Sequence, residues 1–136
     1  MDMFLHNSEH ENKLHYLTGN PIFSRDLKRA STDSAEACIL LTDKNSKFPQ
    51  ITDHKNILTG LAMKKYVQET TGNPNLRICM QLIKPESKSH YYSSLNLATT
   101  NDQLIIVEEV KMNLLAKSCF SPGLISLISN LIISSS

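Results

Sequence analysis

Three short apolar runs, at 37–42, 76–83 and 104–107, are each followed by a stretch with helical spacing. That alternation is the strongest constraint on the fold, because consecutive strands joined through helices must run parallel in one sheet. The full reading is a strand at 13–17, a helix from Ser24 as N-cap to about 30, and a strand at 37–42. A polar loop follows at 43–52, then a helix at about 53–69 capped by Thr52 or Asp53. A strand at 76–83, a helix at 85–95, a strand at 104–107 and a helix from Glu108 complete the alternation. Ser121, Pro122 and Gly123 interrupt the last helix, and another runs over about 124–132. The order is β-α-β-α-β-α-β-α-α, an α/β chain with a partial Rossmann-like parallel sheet. Right-handed crossovers are expected to place helices on both of its faces.

Individual residues support these assignments. The run 37–42 is continuously apolar between polar ends, the pattern of a strand buried on both faces. Ile57, Leu58, Leu61, Ala62 and Val67 repeat at helical spacing, with Lys55, Lys64, Lys65 and Gln68 expected outward. Gly72 suits a left-handed helix end and Pro74 blocks continuation. Residues 1–12 read as a flexible lead, 13–107 as the βαβαβαβ lobe, 108–133 as a helix-turn-helix and 134–136 as a tail.

Composition narrows the function. Hydrophobic residues make up 40% of the 136 and charged residues 20%, with net charge +1 and no block of like charge, so nucleic-acid binding is disfavoured. Cys38, Cys79 and Cys119 are far apart in apolar surroundings and read as reduced core cysteines. The polar N-terminus lacks the features of a signal peptide. The most apolar segment, 123–133, is shorter than the ~20 residues of a membrane span.

Catalytic patterns are missing. The four glycines, at 19, 60, 72 and 123, build no G-x-G-x-x-G turn, and there is no Walker-type loop or nucleophile elbow. His6, His10 and His15 lie in a polar lead with poor metal-ligand spacing. Glu108 and Glu109 open a helix, where negative charge offsets the dipole, and adjacent residues face apart. No catalytic, cofactor-binding or metal residue is assigned.

The C-terminal stretch carries a specific pattern. Glu109, Lys111, Ala116, Ser118, Cys119, Gly123, Leu124, Asn130 and Leu131 follow E-x-K-x4-A-x-S-C-x3-G-L-x5-N-L without a gap. This resembles the end of the N-terminal lobe of the first RCK domain in Slo/BK potassium channels. Gly19, Asp26, Leu27 and Arg29 match that family's turn and short helix, and 34–44 resembles its S-A-D-A-C-L-I-L-A-N-K strand. Pro49, Asp53, Asn56, Ile57, Lys64 and Tyr66 continue the register. Arg77, Ile78, Gln81, Lys88 and His90 follow after a short insertion, so the likeness spans about 13–133.

The resemblance implies a non-enzymatic cytosolic module below a tetrameric potassium pore, in a gating ring that calcium or sodium shifts between two shapes. It implies partners in other RCK lobes or channel subunits, met through 109–133, where the family's helix-turn-helix crosses to a neighbour. The apolar face of 124–133 fits that role. Some positions depart from the family. Its first strand, first helix and second strand, which carry calcium-binding carboxylates, have no counterpart. His15 stands at a magnesium-site glutamate, and imidazole is a poor ligand for that hard ion. Lys65 replaces an asparagine that reaches a neighbour's calcium site, and Ser134-Ser135 replace a methionine-arginine pair. No cofactor is therefore expected in this chain, though calcium or magnesium regulates the family. The competing readings are a Rossmann-like nucleotide-binding or enzymatic domain, and a non-functional truncated channel remnant with an exposed sheet edge.

Overall fold

The computed structural model describes residues 14–72, 76–94 and 101–133. Helix α1 spans Ser24–Arg29, and a short 3-10 turn, Thr32–Ser34, leads to strand β1, Ala37–Leu40. Helix α2 is Pro49–Thr71, strand β2 Arg77–Leu82, helix α3 Glu86–Ser94 and strand β3 Gln103–Ile106. Helices α4, Val107–Phe120, and α5, Leu124–Ile133, close the fold. The three strands lie side by side in the order β1-β2-β3, all parallel. This is the mixed α/β, Rossmann-like architecture expected from the alternation.

Pairing register explains the core. Cys38 lies opposite Ile78, Leu40 opposite Met80, Met80 opposite Leu104, and Leu82 opposite Ile106. Because strand side chains alternate, these residues form one face. Ile78, Met80 and Leu82 are fully buried there, with Ile57, Val67 and Tyr91 from the helices in the same cluster. Complete burial of each such aliphatic side chain stabilises the fold by about 1.5–3 kcal/mol. Gly60 lets α2 approach closely, since a Cβ there would meet the Met80 Cε at 2.6 Å.

The opposite face differs from expectation. Ile39 is 71% exposed, Leu41 74% and Ile105 53%. The run 37–42 is therefore not buried on both faces, and its strand ends at Leu40. The reason is topological. The chain steps from β1 to β2 to β3 in one direction, and right-handed crossovers in one direction put α2 and α3 on the same side. Helices reach both sides only where the strand order reverses.

Local chemistry moves other boundaries. Residues 14–17 form no strand and pair with none of the three; Leu14, Tyr16 and Leu17 are exposed. Phe23 rather than Ser24 is the N-cap of α1. Helix α2 begins at Pro49, inside the expected loop, since proline's fixed φ suits the first helical position. Gly72 ends α2 at φ 70°, in the left-handed conformation expected, and its N–H donates to the Gln68 carbonyl at 3.0 Å. Leu58 points outward and Lys64 inward, the reverse of the sequence pattern. The lead at 1–12, Lys13, Pro74, Leu95 and the tail at 134–136 lie outside the described residues.

Two buried carboxylates hold the elements together. Asp53, inside α2 rather than at its cap, is completely buried. It accepts from the Ile83 N–H at 2.8 Å, the Lys84 N–H at 2.9 Å and the Ser87 hydroxyl at 2.8 Å. It thereby caps the start of α3 from another helix. Asp102, just before β3, accepts from the Ile78 N–H at 3.0 Å and the Tyr91 hydroxyl at 2.9 Å, and pairs with Lys64. Burial, with the hydrogen bond to Asp102, pushes the Tyr91 phenol well above its ordinary range.

Two outcomes follow from these contacts. Asp53→Ala leaves two backbone donors without their partner and is expected to destabilise the chain by about 2–4 kcal/mol, read as a shifted urea midpoint at unchanged m-value. The Tyr91 pKa is raised by folding, so its contribution is complete below the unfolded value of 10.0 and declines as pH rises past it. Alkaline titration followed at 295 nm is expected to show Tyr91 phenolate appearing only with loss of helical circular dichroism. Tyr91→Phe removes that coupling.

Candidate functional site

The carboxyl ends of the strands come first, because open α/β sheets take ligands there. Here protein groups occupy the position. The Asn56 amide donates to the Leu41 carbonyl at 3.4 Å and the Gln81 carbonyl at 3.3 Å, while the Gln81 side chain accepts from the Thr42 N–H at 3.3 Å. Asp53 adds a buried negative charge at the same end, unfavourable to a phosphate. A shallow pocket of about 200 Å³ lies elsewhere, between the 17–20 turn, α1 and Met63. The Asp26 carboxylate borders it, accepting from the Asn20 N–H at 3.0 Å and Arg29 at 3.1 Å, and these bonds hold its pKa below the ordinary carboxylate range.

The C-terminal helix pair is the more distinctive surface. Strand β3 runs directly into α4, anchored at the junction by the Glu108 N–H donating to the Ile83 carbonyl at 3.4 Å and by a 2.8 Å ion pair between Lys84 and Glu108. The hydrogen bond from Lys84 to Glu108 raises the lysine's pKa. Glu108 thus serves in a helix-terminal contact, and Glu109 lies exposed beside it. Beyond this junction α4 buries no residue, and neither does α5. At the break, Ser121 donates its N–H to the Lys117 carbonyl, and the Leu124 N–H returns to Ser121. Gly123 adopts φ 89°, a conformation that favours glycine.

That arrangement leaves apolar side chains of both helices in solvent. Val110, Met112, Leu115 and Phe120 are exposed on α4, with Phe120 at 89%. Ile125, Leu127, Leu131, Ile132 and Ile133 are exposed on α5. Cys119 does not pack into a core as its apolar setting suggested; it is exposed, as is Leu115. Cys38 and Cys79 are half-buried free thiols on opposite faces of the sheet, so they too sit outside the fully buried core. Both helices therefore present large apolar side chains to solvent.

The remaining sequence expectations distribute plainly. His15 is exposed in the irregular 14–18 segment, while His6, His10, Ser134 and Ser135 lie outside the described residues. Lys65 is on the outer side of α2, 3.8 Å from Glu69. No group of three or more histidine, cysteine, aspartate or glutamate side chains gathers as a metal site among the described residues. No described helix is long and apolar enough to cross a membrane. Sequence reasoning missed the buried roles of Asp53, Lys64 and Asp102; an acid just before the apolar run at 104–107 was the available signal for Asp102.

Comparison with known proteins agrees with the geometry. Residues 1–80 match the model of the calcium-activated potassium channel slowpoke-like RCK domain, and 102–136 match that of the calcium-activated BK potassium channel alpha subunit. Potassium channel subfamily T member 1 from Homo sapiens is 32% identical over 117 residues, as is that from Mus musculus. The aligned region is 86% of this chain and 8% of the relative, so the chain spans a small part of those proteins. The structure of the human SLO3 gating ring superposes with a TM-score of 0.70 at 26% identity, covering 90% of this chain and 22% of that one. With the family model matching more than half of its residues, the chain belongs to the slowpoke-like RCK domain family of calcium-activated potassium channels.

Proposed function

We propose that the chain acts as a gating-ring module of a ligand-controlled potassium channel, on the cytoplasmic side of the membrane, docking through α4 and α5 onto another RCK lobe. The observation that carries this reading is the helix pair with no buried residue and large apolar side chains exposed on both helices. An apolar helix face is stable in water only when another surface covers it, and helices joined by a glycine break can address a neighbour at an angle. Membership of a family of channel regulatory domains supports the same role, as does the likeness to a gating ring.

The module's work in this reading is mechanical rather than catalytic. A ligand bound elsewhere in the assembly favours one arrangement of lobes over another, and packed interfaces pass that preference on because they have discrete states. The protein-filled carboxyl end of the sheet supports a non-enzymatic role.

The test is assembly. Sedimentation of the chain is expected to show concentration-dependent association, and Leu127→Asp with Leu131→Asp is expected to weaken it at least tenfold. Because both leucines are exposed in the isolated chain, the melting free energy is expected to change by less than about 0.5 kcal/mol. Sedimentation as a monomer at all concentrations, or equal association by the variant, would remove the basis for docking through this face.

A further inference from the structure

We propose that Ser31 is a phosphorylation site, its hydroxyl taking the γ-phosphoryl group of ATP from a protein kinase that reads basic residues ahead of its target. Lys28 and Arg29 stand three and two residues before it. No other serine or threonine of the chain has cations at both of those positions. Kinases that select by charge hold such cations against acidic side chains of their own substrate groove, so the pattern supplies the recognition.

The fold presents the site. Lys28 and Arg29 lie in the last turn of α1, and both are exposed, as is Ser31. Arg29 bonds Asp26 at 3.1 Å, yet its side chain stays 51% exposed. Ser31 is held through its backbone. Its N–H donates to the Lys28 carbonyl at 3.0 Å, and its carbonyl accepts from the Ser34 N–H at 3.1 Å and the Ser34 hydroxyl at 3.0 Å. Among the described residues no hydrogen bond engages the Ser31 hydroxyl itself.

The turn is also strained. Ser31 sits at φ 51° and ψ 41°, and it is the one non-glycine residue at positive φ among those described. That left-handed conformation is unfavourable for a residue with a Cβ. Straightening the turn to fit an extended substrate groove gives up exposed hydrogen bonds but releases this strain.

Packing selects the acceptor. Thr32 has Arg29 three residues ahead of it, but it is only 4% exposed. In the transfer, Ser31 Oγ attacks the γ-phosphorus of ATP and forms a new O–P bond. The bond to the β–γ bridging oxygen breaks, ADP leaves with its electron pair, and the hydroxyl proton passes to the kinase's catalytic aspartate. The product adds about −1.5 to −2 charges at pH 7, which Lys28 and Arg29 offset. This inference does not rest on the docking role of α4 and α5.

The folded chain incubated with magnesium, ATP and purified cyclic-AMP-dependent protein kinase provides the test, read by intact mass and by fragment spectra that place the added group. The expected result is one phosphoryl group per chain, on Ser31. Ser31→Gly suits the positive φ and removes the acceptor, so it is expected to take up none, at Thr32 included. Lys28→Ala, at an exposed position, is expected to lower kcat/KM for the transfer at least tenfold with unchanged circular dichroism. No incorporation into the folded chain, a phosphoryl group placed on another residue, uptake by Ser31→Gly, or an unchanged rate for Lys28→Ala would each overturn the site.

Discussion

The Asp53 carboxylate is the contact on which the arrangement of this lobe depends. It is fully buried within α2, and a buried charge is costly unless its oxygens are satisfied. Three donors from the β2–α3 junction satisfy them, so one side chain fixes the long helix against the sheet and begins the next helix. Asp102 does the corresponding work at the other end of the strands, joining the start of β2 to α2 through Lys64 and to α3 through Tyr91. Between these two anchors lies the aliphatic row of Ile78, Met80 and Leu82. Hydrophobic burial supplies the driving force, and the two carboxylates supply the registration that burial alone does not.

The same topology determines what remains uncovered. Three parallel strands in consecutive order place both crossover helices on one side, leaving Ile39, Leu41 and Ile105 in solvent on the other. The chain then departs from the sheet through α4 and α5, which contribute no buried residue. A lobe built this way has a well-packed interior and large apolar exteriors. That combination is the one the proposed docking role requires.

Much of the element order was legible before any coordinates. Apolar runs located β1, β2 and β3, Gly72 located the end of α2, and the 121–123 break separated α4 from α5. The errors came from treating local pattern as environment. Residues 13–17, apolar at 14 and 17 around an aromatic, read as a strand, but a strand exists only with a partner to receive its hydrogen bonds, and 14–17 have none in the sheet. The run at 37–42 reads as buried on both faces, yet burial requires a second layer that this topology does not build. Lys64 looks like a solvated charge, and it is turned inward by an aspartate far along the chain.

From the amino-acid sequence alone came the α/β class, the order of its elements, the absence of a phosphate-cradling turn and the family pattern over 109–131, because each is carried by short-range spacing. Tertiary structure alone decided which face of the sheet is covered and which charged side chains are buried. Those properties join residues distant in the chain. They arise from strand order and helix packing, which bring such residues together only after the backbone has closed around its core.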